Sequence, residues 1–139
     1  MKTHEAARAV HAEMQAPFTL HDIWTRFGRA AYRDRLNNCI EIQGEMTERA
    51  ESNLKRVVVR QWVGGSNRLT FTSLDFDLTQ HLHLYMTYGS SIRVGRLLLM
   101  SQLTIFAGDH ADVTIGDDCM FASEFEILAS NVPTRTSAS

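Results

Sequence analysis

Three consecutive rows of six residues near the end of the sequence constrain the fold more than any other feature. Written out from position 113, they read VTIGDD, CMFASE and FEILAS, and Ile115, Phe121 and Ile127 fall in one column. The next column holds Gly116 and Ala122. A large apolar residue followed by a small one at every sixth position suits a triangular solenoid, in which each row supplies one flat strand and one corner. The pattern therefore favours a parallel β-helix.

Apolar pairs with one residue between them recur along the chain from Cys39 onward, as expected for short strands. They are Ile40/Ile42, Val57/Val59, Leu69/Phe71, Leu82/Leu84, Ile92/Val94, Leu103/Ile105, Val113/Ile115 and Phe125/Ile127. Turn-forming residues separate many of them, at 64–67, 88–91, 108–109 and 116–118. No helical pattern lies between these strands, so βαβ units are excluded. An antiparallel sandwich, a barrel and a β-solenoid remain, and the absence of a polar loop of several residues between Gly116 and Asn131 argues against the sandwich.

The first 36 residues have a helical pattern instead. Ala7, Val10 and Met14 predict a short helix, and Thr19 and Asp22 have the spacing of a capping box that begins a second one. One face of this second helix carries apolar residues: Leu20, Ile23, Trp24, Phe27 and Ala31. Another face carries Arg26, Arg29 and Arg33, which suit either a solvated surface or contact with an anionic partner. We predict a helical segment at 1–36, a β-helix domain at 37–131 and a disordered tail at 132–139, with the polar stretch 43–55 forming a loop or an extension of one coil.

Composition narrows the class of protein. The 139 residues suffice for one ordinary domain, and a net charge of −2 gives no basic field that would indicate nucleic acid as a partner. No apolar run approaches the roughly 18 residues of a transmembrane helix. The chain start lacks the apolar core of a secretion signal. Cys39 and Cys119 lie far apart in sequence and predict two reduced thiols. We therefore expect a cytoplasmic protein.

The segment from Ile115 to Asn131 resembles the IG(E/D)DCMFS…I…SD motif of hexapeptide-repeat acyltransferases that act in polysaccharide and cell-surface glycan biosynthesis. Residues 65–71 and 89–95 resemble the preceding coils of that family, and residues 37–42 are a fainter copy. The resemblance covers roughly Asn37 to Asn131. It implies a left-handed parallel β-helix, whose crossovers are an exception to the usual right-handed rule.

The resemblance also implies a reaction. Family members transfer an acetyl group from acetyl-CoA to a hydroxyl or amine, usually on a sugar, in a groove between the subunits of a homotrimer. A histidine acts as the general base, and backbone N–H groups hold the oxyanion. The implied partners are therefore acetyl-CoA and a saccharide acceptor.

This sequence departs from the family where the catalytic histidine is expected. In the family that histidine follows the matching segment, whereas here Asn131 is followed by Val132 and Pro133, and no histidine comes after His110. We expect a chain that is truncated before the histidine loop and is weakly active or inactive. Asn131 is the candidate substrate-binding residue. His110 is a candidate substitute base, because in a stacked solenoid it would lie one coil below Asn131, and the alternative is a polar turn histidine.

His81 and His83 are two residues apart on a predicted strand and project to the same face, where they suit either a metal or solvent. Because no third ligand is in view, we predict no metal site. Three hypotheses for function remain: an acetyl-CoA-dependent O-acetyltransferase-like protein of saccharide metabolism, a non-catalytic β-solenoid module for interaction or oligomerisation, and an unrelated antiparallel sandwich that acts as a binding module.

Overall fold

The structure, a computed structural model, describes residues 13–27, 31–73, 77–99 and 101–130. Strands dominate it. In chain order the elements are β1 (Phe18–Thr19), α1 (Leu20–Phe27), β2 (Ala31–Arg33), β3 (Cys39–Ile42), α2 (Glu48–Leu54), β4 (Val57–Val63), β5 (Arg68–Phe71), β6 (Asp77–Leu78), β7 (Leu82–Thr87), β8 (Ser91–Val94), β9 (Leu97–Leu99), β10 (Leu103–Ala107), β11 (Asp112–Ile115), β12 (Cys119–Phe121) and β13 (Phe125–Ala129).

The strands form three sheets that the chain visits in rotation. The first sheet has the order β1-β4-β7-β10-β13, the second β11-β8-β5-β3-β2, and the third β12-β9-β6. Two of the described pairings are antiparallel, β1 with β4 and β2 with β3, and all the others are parallel. This rotation makes a β-solenoid of about three turns. The parallel pairing of Leu103–Ala107 with Phe125–Ala129 argues against the antiparallel sandwich.

The six-residue rows correspond to successive strands near the end of the solenoid. Ile115 lies in β11, Phe121 in β12 and Ile127 in β13, as the column predicts. A complete turn is longer than three such rows. Leu82 pairs with Leu103, and Leu103 pairs with Phe125, so the last two turns take 21 and 22 residues. The turn before them is longer, since Val57 pairs with Leu82. The extra residues lie mainly at the corner between the first and second sheets, for example at 108–111.

The apolar pairs fill the interior of the solenoid. In seven of the eight predicted pairs both side chains are buried, because alternate residues of a strand face the same side. The eighth pair, Phe125/Ile127, lies on the last described strand, where Phe125 is 50% exposed. Stacking each inward row on the next therefore builds one continuous core.

A polar ladder lies inside the corner between the first and second sheets. The Asn67 backbone N–H donates to Asn38 Oδ1 at 3.0 Å, and the Ser90 backbone N–H donates to Asn67 Oδ1 at 3.2 Å. The residue before each ladder position has a positive φ: Asn37 at 63°, Ser66 at 62°, Gly89 at 71° and His110 at 59°. This left-handed residue turns the chain and directs the next side chain inward. Ala111 occupies the equivalent position in the following coil, so the ladder ends there.

The ladder begins on a buried carboxylate. Asp34 accepts hydrogen bonds from the Leu36 and Asn38 backbones, from the Asn38 amide and from the Tyr32 hydroxyl. The Tyr32 hydroxyl in turn accepts from the Met14 backbone N–H at 3.0 Å. Burial, and to a lesser extent the Asp34 carboxylate, raises the pKa of Tyr32. The network ties residues before the solenoid to its first turns.

Before β4 the structure differs from the sequence prediction in two places. The helix predicted from Thr19 is present as α1 and its capping box is confirmed, since Thr19 and Asp22 exchange hydrogen bonds between backbone and side chain. The extension of that helix to Ala31 and Arg33 is wrong, because these residues form β2 and pair with β3. The loop predicted at 43–55 is also wrong in part, because it contains α2, which Thr47 caps.

Several predictions fall outside the described residues. They include most of the first predicted helix, where only Met14 is described, and it is not helical. They also include Arg29 and the tail at 132–139. Cys39 and Cys119 are free thiols, as predicted.

Candidate functional site

The outward side of the first sheet, which we call the outer face, carries the most distinctive surface of the molecule. Inward residues of β7 and β10 alternate with outward ones, so His83 and Tyr85 share the outer face with Thr104 and Phe106. Strand β13 adds two more outward residues, Glu126 and Leu128. Both faces of a parallel sheet are usually covered, and here the described residues leave apolar groups on the outer one.

An apolar row crosses this face along the solenoid axis. Tyr85 and Phe106 are in register, and their rings stack with centroids 4.4 Å apart and planes 19° from parallel. Phe106 is in register with Leu128, which is 73% exposed. We call Tyr85, Phe106 and Leu128 the outer apolar row. Because the rings lie against each other, their edges face solvent and a further apolar surface can pack across them.

A bulge in β4 brings a cation to one end of the outer face. Val59 pairs with Leu84 and Gln61 pairs with Tyr85, so Arg60 is an extra residue between them. Its Nε donates to His83 Nδ1 at 2.9 Å. In the part of the chain that the structure describes, no carboxylate pairs with Arg60. Bulges often re-aim a side chain in this way, and here the bulge leaves the far edge of the guanidinium open.

His83 is held in its neutral form beneath this arginine. Desolvation and the neighbouring charge of Arg60 lower the pKa of the His83 imidazole, and His81 adds to the effect. A hydrogen bond with Gln102 raises the pKa of His83, but by less than these effects lower it. Because Nδ1 accepts the hydrogen bond from Arg60, the ring proton lies on Nε2. His83 therefore orients Arg60 without neutralising it.

A carboxylate, that of Glu126, lies at the opposite end of the outer face. His83 is in register with Thr104, and Thr104 with Glu126, so one polar row begins beneath Arg60 and ends in an exposed carboxylate. Within the described residues Glu126 forms no ion pair. The outer face thus has a cation at one end, an anion at the other and an apolar row beside them.

The structure places His110 at a different site, on the corner between the first and second sheets. The residue is exposed, its backbone N–H donates to the Tyr88 carbonyl at 2.8 Å, and its ring lies over Gly89. Neighbouring Asp109 accepts a hydrogen bond from the Thr87 hydroxyl at 2.7 Å. Among the described residues no hydrogen bond to the His110 imidazole is formed, so no orienting partner for a general base is in place. Asn131 lies outside the described residues.

His81 and His83 share a face, as the sequence predicts, but only His83 is in a strand, because His81 directly precedes β7. The rings of His81 and His83 stack with centroids 5.8 Å apart. Within the described parts of the chain, no group of three His, Cys, Asp or Glu side chains is arranged to hold a metal ion. Their described contacts are with each other, Arg60 and Gln102.

Sequence reasoning missed the outer apolar row, although a signal for it was present. Tyr85 stands between two inward residues of β7, and Phe106 stands in the same position of β10, 21 residues later. A repeat of that length matches one turn of the solenoid. The signal was hidden because the rows of six predict a shorter turn.

No family model matches the chain, and neither the curated proteins nor the solved structures include a match. None of the helices in the described residues is long and apolar enough to cross a membrane.

Proposed function

We propose that this chain is a β-solenoid module for interaction and oligomerisation, and that copies of it associate through the outer face. The observation that carries the proposal is the outer apolar row, which the described residues leave uncovered on the first sheet. Apolar rows exposed on a rigid scaffold are a common feature of protein–protein interfaces. A second copy is the occupant that the surface favours, because opposite charges stand at the two ends of the face.

Sedimentation velocity over a range of concentrations tests this function. Leu128→Lys places a charge in the outer apolar row and is expected to abolish association, because a partner surface would have to bury that charge. Met120→Lys is the matched control, since Met120 is 61% exposed on β12, in a different sheet of the same coil. A wild-type chain that stays monomeric at every concentration would refute the function.

A second candidate is transfer of an acetyl group from acetyl-CoA to a saccharide hydroxyl, in a left-handed β-helix that assembles as a homotrimer. The resemblance of residues 115–131 to hexapeptide-repeat acyltransferases supports it, and so does the six-residue spacing of β11, β12 and β13. A turn of 21 or 22 residues and an exposed His110 without an orienting partner in the described residues count against it. Release of free CoA from acetyl-CoA in the presence of sugars, lost in His110→Ala, would establish this candidate.

A further inference from the structure

The charged groups of the outer face lie at its two ends, with Arg60 over His83 and Glu126 on β13. We infer, on the basis of the proposed self-association, that two chains pack outer face to outer face about a two-fold axis that runs along β10, with Arg60 of each chain paired with Glu126 of the other. An interface of this kind is isologous, because each chain contributes the same surface.

The register of the sheet carries this arrangement. A two-fold axis parallel to β10 reverses the order of the strands, so β10 lies on its own copy and β7 lies on β13 of the second chain. Phe106 then meets its own copy, and Tyr85 meets Leu128, which keeps the outer apolar row in apolar surroundings on both sides.

The two-fold axis along β10 also places the polar row of one chain opposite the polar row of the other. Arg60 is held over His83 on β7, and Glu126 is on β13 in the same outward row, so each arginine comes opposite a carboxylate of the second chain. The open edge of the guanidinium suits a carboxylate, which it can bind through two N–H groups. Thr104, between them, meets its own copy.

The alternative two-fold axis, along the solenoid, gives a poorer match. It keeps the order of the strands and reverses their direction, so residues near the start of a strand meet residues near its end. Arg60 would then face the region of Thr87, where Asp109 supplies a carboxylate. Glu126, however, would face the region of Ser130, where the described residues place no cation. This axis therefore pairs one of the two charges, whereas the axis along β10 pairs both. Charge complementarity therefore selects the axis along β10.

The area of the outer face indicates how tightly two chains would bind. Three strands of five residues, each about 17 Å long and about 4.8 Å from the next, give a footprint of roughly 240 Å² on each chain. That is well below the approximately 800 Å² per partner of a standard stable interface. We therefore expect a weak dimer that forms at about 0.1 mM and above.

A charge-reversal cycle measured by sedimentation equilibrium tests the inference. Arg60→Glu and Glu126→Arg are each expected to weaken dimerisation about tenfold, since each places like charges opposite one another. The double variant restores opposite charges and is expected to return to within about threefold of wild type. Glu41→Arg is the matched control, because Glu41 is exposed on β3, in the second sheet. Circular dichroism checks that each variant is folded.

The outcomes separate this inference from the proposed function. If Leu128→Lys prevents association but the double charge variant is no better than the single ones, the two-fold arrangement is wrong and the function stands. A trimeric mass that Leu128→Lys abolishes leads to the same conclusion. If the wild type never associates, both are wrong. Equal weakening by Glu41→Arg also overturns the inference, because it reveals a general charge effect.

Discussion

The side chain of Asn67 accepts two hydrogen bonds from Ser90 of the next coil, one from its backbone N–H at 3.2 Å and one from its hydroxyl at 3.1 Å. Its amide also donates to the Val63 carbonyl at 3.0 Å. Since Asn67 is fully buried, it replaces water for groups on both sides of the corner. This one residue joins two turns of the solenoid and fixes their register.

Asn67→Ala is therefore expected to destabilise the fold by about 1–3 kcal/mol, because it removes three buried hydrogen bonds and the acceptor of the Ser90 hydroxyl. The loss is limited because the Ser90 N–H still donates to the Thr87 carbonyl, and the Val63 carbonyl still accepts from the Tyr88 N–H. Ser90→Ala removes the hydroxyl alone and keeps the backbone bond, so we expect it to cost about 1 kcal/mol or less. Urea unfolding followed by circular dichroism measures both. Equal effects of the two variants would show that the side chain of Asn67 does not satisfy the corner as described.

The turn at Gly89 gives a second prediction. Its φ of 71° disfavours any other residue, and an added Cβ would lie 2.6 Å from His110 Nδ1. We expect Gly89→Ala to lower the free energy of unfolding by about 1–3 kcal/mol. A Cβ on Gly116 meets nothing within 4 Å, so Gly116→Ala is the matched control and should change stability by less than about 0.5 kcal/mol.

The double variant Gly89→Ala/His110→Ala separates the two causes of that loss. Removing the imidazole relieves the contact and leaves the backbone strain, so part of the stability should return. Thermal unfolding of the single and double variants measures the recovery. If there is none, the His110 ring does not lie over Gly89.

His83 makes stability depend on pH. The pKa of its imidazole is lowered in the folded state, mainly by desolvation, from an ordinary value of about 6.5. Below that ordinary pKa the unfolded chain takes up a proton that folded His83 resists, so stability falls as the pH drops from about 6.5 toward the lowered pKa. Above about 6.5 the contribution is present in full.

Comparing the wild type with His83→Gln isolates this effect, because Arg60 and His81, the charged or titratable groups that face His83, are common to both. The melting temperature of the wild type minus that of His83→Gln is expected to increase as the pH rises from 5 to 7. A difference that does not change with pH would contradict a lowered pKa for His83.

Much of the fold was predictable from local patterns. The apolar pairs predict β3, β4, β5, β7, β8, β10, β11 and β13, the rows of six predict β12, and a capping box predicts the start of α1, because alternation and capping depend on neighbouring residues. The short strands β6 and β9 of the third sheet contain no such pair and were not predicted. Strand β2 was missed because Ala31 and Arg33 continue the helical spacing of α1, and pairing with β3 overrides it. The polar composition of 43–55 concealed α2, which Thr47 caps.

The site was less predictable, because it depends on which coil lies on which. The ion–dipole contact between Arg60 and His83 needs a bulge in β4, and nothing in the Val57–Val63 sequence marks where the extra residue falls. To predict the outer apolar row one must know the length of a turn of the solenoid, and the rows of six underestimate it. His110 was visible in the sequence, but its exposed position over Gly89 required the structure.

Chemical cross-linking at Thr104 tests most directly whether copies associate through the outer face, because the outer apolar row stays intact in this variant. In a chain with Cys39→Ser and Cys119→Ser, a cysteine introduced at Thr104 would lie against its own copy across the two-fold axis. A short bis-maleimide is then expected to trap a covalent dimer, whereas Met120→Cys in the same background should remain monomeric. Equal cross-linking of the two variants, or none at Thr104→Cys at concentrations well above about 0.1 mM, would contradict the account.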